Sequence, residues 1–157
     1  MSVQAEGQQG VQIQRRMLVG ELVDRQMNQI VRQVYSLVDN TELQVSSMEK
    51  HQFSNLLGVA LETSSVESVA NFIRYQMGRD VRGNSWRNRG FGDRLIKELQ
   101  GLRDVAEAIA GHVADALRTT ELSRTDVDAI WAELVRQYVG QLNRYFYYKK
   151  EATRWSR

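Results

Sequence analysis

Cysteine and proline are both missing from this 157-residue chain. Without cysteine there is no disulfide framework, no thiolate nucleophile and no cysteine metal site, which fits a reducing compartment. Without proline, no ring removes a backbone donor inside an element, so nothing forbids long helices. Long hydrophobic runs are missing too. Charged residues break every apolar segment short of the roughly 18 residues that a membrane span needs. The opening stretch Met1–Gly10 lacks a basic n-region and an apolar h-region, so no signal peptide is expected. The expectation is a cytoplasmic protein with no membrane partner.

Recognisable chemistry is scarce as well. The two histidines, His51 and His112, lie far apart, and neither sits in His-Glu-x-x-His or another metal spacing. Asp126, Asp128 and Glu133 lack the glycine and ligand spacing of a calcium loop, and read better as first-turn acids favoured by a helix dipole. Arg89-Gly-Phe-Gly-Asp93 lacks the third glycine and preceding strand of a nucleotide fingerprint, and reads as a flexible hinge. The close Arg and His spacing of HEPN-type RNA-cleaving helical proteins is absent, since the nearest arginine before His112 is Arg103. No catalytic residue, metal or cofactor is expected, and the chain reads as a non-enzyme.

What is present is helical periodicity. Residues 1–10 are polar and rich in Gly and Gln, and read as a disordered N-terminal tail. Ile13, Met17, Met27, Val31, Val34 and Val38, with Gly20 and Asp24 filling the stripe, then recur at three- and four-residue steps, predicting one long helix that ends at Asp39-Asn40-Thr41. Ser46-Ser-Met-Glu49 and Ser64-Ser-Val-Glu67 have capping-box spacing. They predict helices burying Phe53, Leu56, Leu57, Ala60 and Leu61, then Val66, Val69, Ala70, Ile73 and Met77. A cluster of Gly, Asn and Ser predicts a loop over 81–90. A fourth helix from about Gly92 to Thr119 carries Leu95, Leu99, Leu102, Ala106, Ile109, Val113 and Leu117 on one stripe. Ser123 and Asp126 have capping spacing before a fifth, which carries Ile130, Trp131, Leu134, Val135, Tyr138, Leu142, Tyr145 and Phe146. Nothing alternates as a strand. The predicted fold is all-α: a single-domain bundle of about five helices over residues 11–157, with an arginine-rich loop near 81–90.

Charge is uneven along the chain. The segment from Arg74 to Arg94 holds six of the 21 basic residues and only two of the 19 acids, Asp80 and Asp93. Arginine is always charged, and its planar fork matches phosphate oxygens, so such a cluster suits a polyanion. Arg74 and Arg82, two turns apart on a continued helix, would share a side, with Arg79 beside Gly78. The loop adds Arg87 and Arg89, and Trp86, set between Asn84-Ser85 and Arg87, suits stacking on unpaired bases. A second basic and aromatic cluster, Arg144 to Arg157, holds more aromatics than one core face needs and suggests a surface that docks another subunit. A solvated loop on a helical protein-interaction adaptor without RNA binding is the alternative.

Three motifs occur in a familiar order. Gln52-Phe-Ser-Asn-Leu-Leu57 precedes Phe72-Ile-Arg-Tyr-Gln-Met-Gly-Arg79, and the chain closes on Tyr138, Leu142 and Tyr145-Phe-Tyr-Tyr148. This arrangement, spanning about residues 46–150, resembles the small subunit of type III-A CRISPR effector (Csm) complexes. Gln52 and Ser54 stand where that family often carries basic residues, with Lys50 and His51 one turn earlier. The resemblance implies a non-catalytic subunit. It would stack in several copies along the guide RNA–target RNA duplex, with backbone subunits and a large polymerase-like subunit as partners. It implies an RNA contact at Arg79, then at Arg74 and Lys50. Arg82, Arg87 and Arg89 join them from the charge pattern alone.

Overall fold

A computed structural model describes residues 3–118 and 123–155. Six α-helices are found among them: α1 (Val3–Asp24), α2 (Met27–Asn40), α3 (His51–Glu62), α4 (Val66–Arg79), α5 (Phe91–Ala116) and α6 (Arg124–Trp155). Short 3-10 turns at Leu43–Val45 and Asn88–Gly90 complete the regular structure. The described residues are all-helical and form one bundle, with six helices in place of about five.

The extra helix comes from the N-terminal segment. The predicted long helix breaks at Arg25–Gln26, where the Gln26 N–H takes the nearer carbonyl of Val23 at 2.9 Å and tightens the turn. The break resets the helical phase. Ile30, Val34, Leu37 and Val38 of α2 are buried, whereas Ile13 and Met17 of α1, expected inside, are exposed. Residues 3–10, read as a disordered tail, are helical and mostly exposed.

The remaining helices follow their stripes, apart from Leu61 in the last turn of α3, expected inside and 63% exposed. Val66, Val69, Ala70 and Ile73 of α4 are buried, as are Leu95, Leu99, Leu102, Ala106, Ile109 and Val113 of α5. At 32 residues, α6 is about 48 Å long. It packs against α5, α3 and α2 and forms the spine of the core. Tyr138, Leu142 and Phe146 are fully buried along it, and the Trp131 indole donates to the Leu99 carbonyl of α5 at 2.8 Å. Arg136 of α6 closes the end of α3, donating to the carbonyls of Ala60 (2.9 Å) and Thr63 (3.1 Å), which have no partner within their own helix.

The helix starts separate the three capping signals. Ser123 and Asp126 form the reciprocal box: each side chain accepts the other's backbone N–H, at 3.2 and 3.0 Å. At α4 the cap is Ser65, one residue later than predicted, accepting from Ser68 N–H at 3.1 Å. Ser46 caps no helix. Its hydroxyl accepts from Met48 N–H at 3.1 Å and donates to the Leu43 carbonyl, and α3 starts only at His51. The predicted helix end at Thr119 lies outside the described residues.

Candidate RNA-contact surface at the end of α4

The arginine-rich segment is folded around an acid. Helix α4 stops at Arg79, and Asp80 turns the chain out of it. The Asp80 carboxylate accepts backbone N–H groups from Gly83 (3.0 Å), Ser85 (3.1 Å) and Arg87 (2.9 Å). Burial pushes the Asp80 carboxyl up, but the donors from Arg87, Ser85 and Gly83 outweigh it and hold the group below the usual carboxylate range.

Three further ties fix the loop to the bundle. The Ser47 N–H donates to the Asn84 carbonyl at 2.9 Å, and its hydroxyl donates to the Asn84 side chain at 2.7 Å. The Asn88 amide donates to the Thr41 carbonyl at 2.8 Å. Trp86 is buried, with its ring edge-on to Phe53 at 5.7 Å between centroids. Base stacking by Trp86, suggested by its arginine neighbours, is therefore ruled out by its burial.

The start of α5 completes this packing. Gly92 N–H donates to the Trp86 carbonyl at 2.7 Å, and Phe91 and Gly92 are both buried. A Cβ at Gly92 would lie 2.8 Å from that carbonyl oxygen and 2.5 Å from the Met77 sulfur. The stretch read as a flexible hinge is thus a close-packed corner, and its glycine is required by contact.

The six candidate cations divide into two groups. Arg87 is committed inward: its Nε donates to the Asp80 carbonyl at 3.1 Å, and its guanidinium also reaches the Val81 carbonyl at 3.4 Å. Arg89 pairs with Glu42 at 3.1 Å, both residues holding left-handed backbone with φ of 50° and 47°. Lys50 pairs with Glu151 of α6 and sits 4.5 Å above the Tyr147 ring. The hydrogen bond to Glu151 raises the Lys50 ammonium above its ordinary value.

Arg74, Arg79 and Arg82 form the second group. All three are exposed, and among the described residues none makes an ion pair. Because α4 ends at Arg79, Arg82 lies in the turn after the helix, so the two-turn spacing from Arg74 does not operate. Arg74 and Arg79 lie about 140° apart around α4. Arg79 stacks over Tyr75, with its guanidinium carbon 5.4 Å from the ring centroid. Sequence reasoning missed Tyr75, which is 58% exposed; its spacing of one turn from Arg79 was the available signal.

The other polar candidates lie at the surface or in ion pairs. His51 and His112 are both exposed. Asp126 lies 3.7 Å from Arg15, Asp128 lies 3.4 Å from Arg103, and Glu133 lies 3.4 Å from Arg136. Among the described residues, no cluster of three or more His, Cys, Asp or Glu is placed to hold a metal ion, and no helix is long and apolar enough to cross a membrane. In comparisons with protein-family models, curated proteins and solved structures, nothing matches this chain.

Proposed function

We propose that this chain is a non-catalytic small subunit of a type III CRISPR RNA-guided effector complex. Several copies stack along the guide RNA–target RNA duplex, beside backbone subunits and a large polymerase-like subunit, and grip the RNA backbone. The observation that supports this best is the exposed trio Arg74, Arg79 and Arg82, without an ion-pair partner among the described residues. Asp80, the acid nearest to them in sequence, is turned onto backbone N–H groups and draws none of the three into an ion pair. Gripping phosphates and duplex shape needs cations on a firm support, not a base-reading pocket. The tied loop at the end of α4 supplies that support.

A second reading, a helical protein-interaction adaptor without RNA binding, draws on α1. Its exposed apolar side chains Val3, Val11, Ile13 and Met17 are all aliphatic. A groove of about 690 Å³ between α1 and α6, lined by Val19, Val23, Met27 and Ile130, lies alongside. Both readings allow subunit contacts, so RNA decides between them. Co-expression with type III backbone subunits and guide RNA is expected to recover this chain in several copies per complex, with target-RNA retention lowered by replacing all three arginines with alanine. Exclusion from the complex, or unchanged retention, would overturn the first reading.

A further inference from the structure

The C-terminal half of α6 carries a row of aromatic rings continued by α2. Tyr35 of α2 meets Tyr145 with ring centroids 4.4 Å apart, Tyr145 meets Tyr148 at 6.2 Å, and Tyr148 meets Trp155 at 5.9 Å. Three of the four rings are open to solvent: Tyr35 is 44% exposed, Tyr148 53% and Trp155 68%. A shallow cleft of about 290 Å³ runs beside Tyr35, Tyr145 and Tyr148 and is also lined by Arg144. So many exposed rings in contact with one another mark a surface that meets a partner.

The composition of the row selects the partner. On α1 the exposed apolar side chains are aliphatic, but on α6 they are Tyr147, Tyr148 and Trp155, all aromatic. Residues 144–155 hold four cations, Arg144, Lys149, Lys150 and Arg154, against one acid, Glu151. Lys149 pairs with Asp39, Lys150 donates to the Ser46 carbonyl at 2.8 Å and Arg154 lies 3.8 Å from Glu151, which leaves Arg144 with neither tie among the described residues. Protein interfaces also favour Tyr, Trp and Arg, but they are depleted in lysine, and two of these four cations are lysines. Asp39, an acid beside the row, is already matched by the Tyr145 hydroxyl at 2.8 Å and by Lys149 at 3.3 Å. Flat π faces interleaved with cations suit a chain that offers both flat faces and phosphates.

We infer that the row Tyr35, Tyr145, Tyr148 and Trp155 binds single-stranded nucleic acid. Unpaired bases stack on Tyr148 and Trp155 while Arg144, which lines the cleft, meets a phosphate. Paired bases present no free face, so a duplex gains nothing from these rings. The site uses none of the α4 arginines and stands or falls independently of them.

Trp155 reports on the site directly. Trp86 and Trp131 are 3% and 7% exposed, leaving Trp155 as the exposed tryptophan. Titrating the full chain with a short oligouridylate, its deoxy counterpart and a short RNA duplex is expected to quench tryptophan emission with the single strands only. Trp155→Phe should keep single-strand binding within about twofold while losing the quench. Combining Tyr148→Ala with Trp155→Ala should weaken single-strand binding about tenfold or more and leave duplex binding unchanged, since base–aromatic stacking acts only on free bases. Circular dichroism checks that both variants fold. Undiminished single-strand binding by the double variant, or no quench at saturation, would overturn the inference. Equal loss of duplex binding would overturn it too, as would loss of a protein partner with single-strand binding intact. Loss of duplex binding in the Arg74, Arg79 and Arg82 variant is a separate readout and concerns the α4 surface alone.

Discussion

The backbone N–H of Arg87 donates to the Asp80 carboxylate at 2.9 Å, and the Arg87 side chain returns through Nε to the Asp80 carbonyl at 3.1 Å. Each residue thus closes the loop on the other. The carboxylate also holds the N–H groups of Gly83 and Ser85, so a single acid organises the segment that presents Arg82. Replacing Asp80 with Ala strands those donors and is expected to cost about 2 kcal/mol in urea unfolding.

The same carboxylate predicts an acid-sensitive loop. Its folded pKa is held below the ordinary value, because the N–H donors outweigh the upward push of burial. Its stabilising contribution is therefore complete above the ordinary carboxylate pKa of about 4, and is lost as pH falls from there through the folded value. With both Trp131 and Trp155 replaced by Phe, emission from Trp86 should shift to the red only below about pH 4. Adding Asp80→Asn should remove that transition, and an unchanged acid transition would show that another group drives it.

Gly92 is required by packing. Its φ is not left-handed, but the Trp86 carbonyl oxygen, 2.8 Å from an added Cβ, belongs to backbone and cannot rotate away. Gly92→Ala is expected to destabilise by about 1–3 kcal/mol, the usual cost of overpacking. Gly101→Ala on the same helix meets nothing within 4 Å and should be neutral or mildly stabilising. Equal midpoints for the two variants in urea would contradict the packed corner.

Lys50 is restrained by Glu151, which Arg154 also approaches at 3.8 Å. If the segment at Lys50 faces RNA, as the resemblance implies, Glu151 competes with phosphate for the ammonium. Glu151→Gln is then expected to tighten RNA binding a few-fold, and Lys50→Ala should cost more affinity in that background than in the parent chain. A binding cycle over both positions measures the coupling. Identical affinity with Gln at 151 would leave Lys50 as a tie between α3 and α6 and nothing more.

The helical core was legible because most helices keep one phase throughout: the predicted positions of α4 and α5 from Val66 to Ile73 and Leu95 to Val113 are buried. The break at Arg25–Gln26 was not, because neither proline nor glycine marks it, and joining α1 to α2 carried Ile13 and Met17 into the core on paper. The arginine segment was legible as a charge cluster but not as a fold. Asp80 reads as one acid among six arginines, and only the closed chain brings three N–H groups onto it. Trp86 misled for the same reason: polar and basic neighbours in sequence surround a ring that turns inward onto Phe53 and Phe91.

The most direct measurement is a titration of the isolated chain with duplex RNA at two salt concentrations, comparing the parent with the Arg74, Arg79 and Arg82 to Ala variant. For every phosphate no longer neutralised, the dependence of log affinity on log salt should flatten by about 0.7–0.9. Weak, salt-sensitive binding by the parent, and a flatter, weaker response in the variant with an unchanged circular dichroism spectrum, is the predicted result. Equal affinity and equal salt slope for the two proteins would contradict phosphate gripping by these arginines.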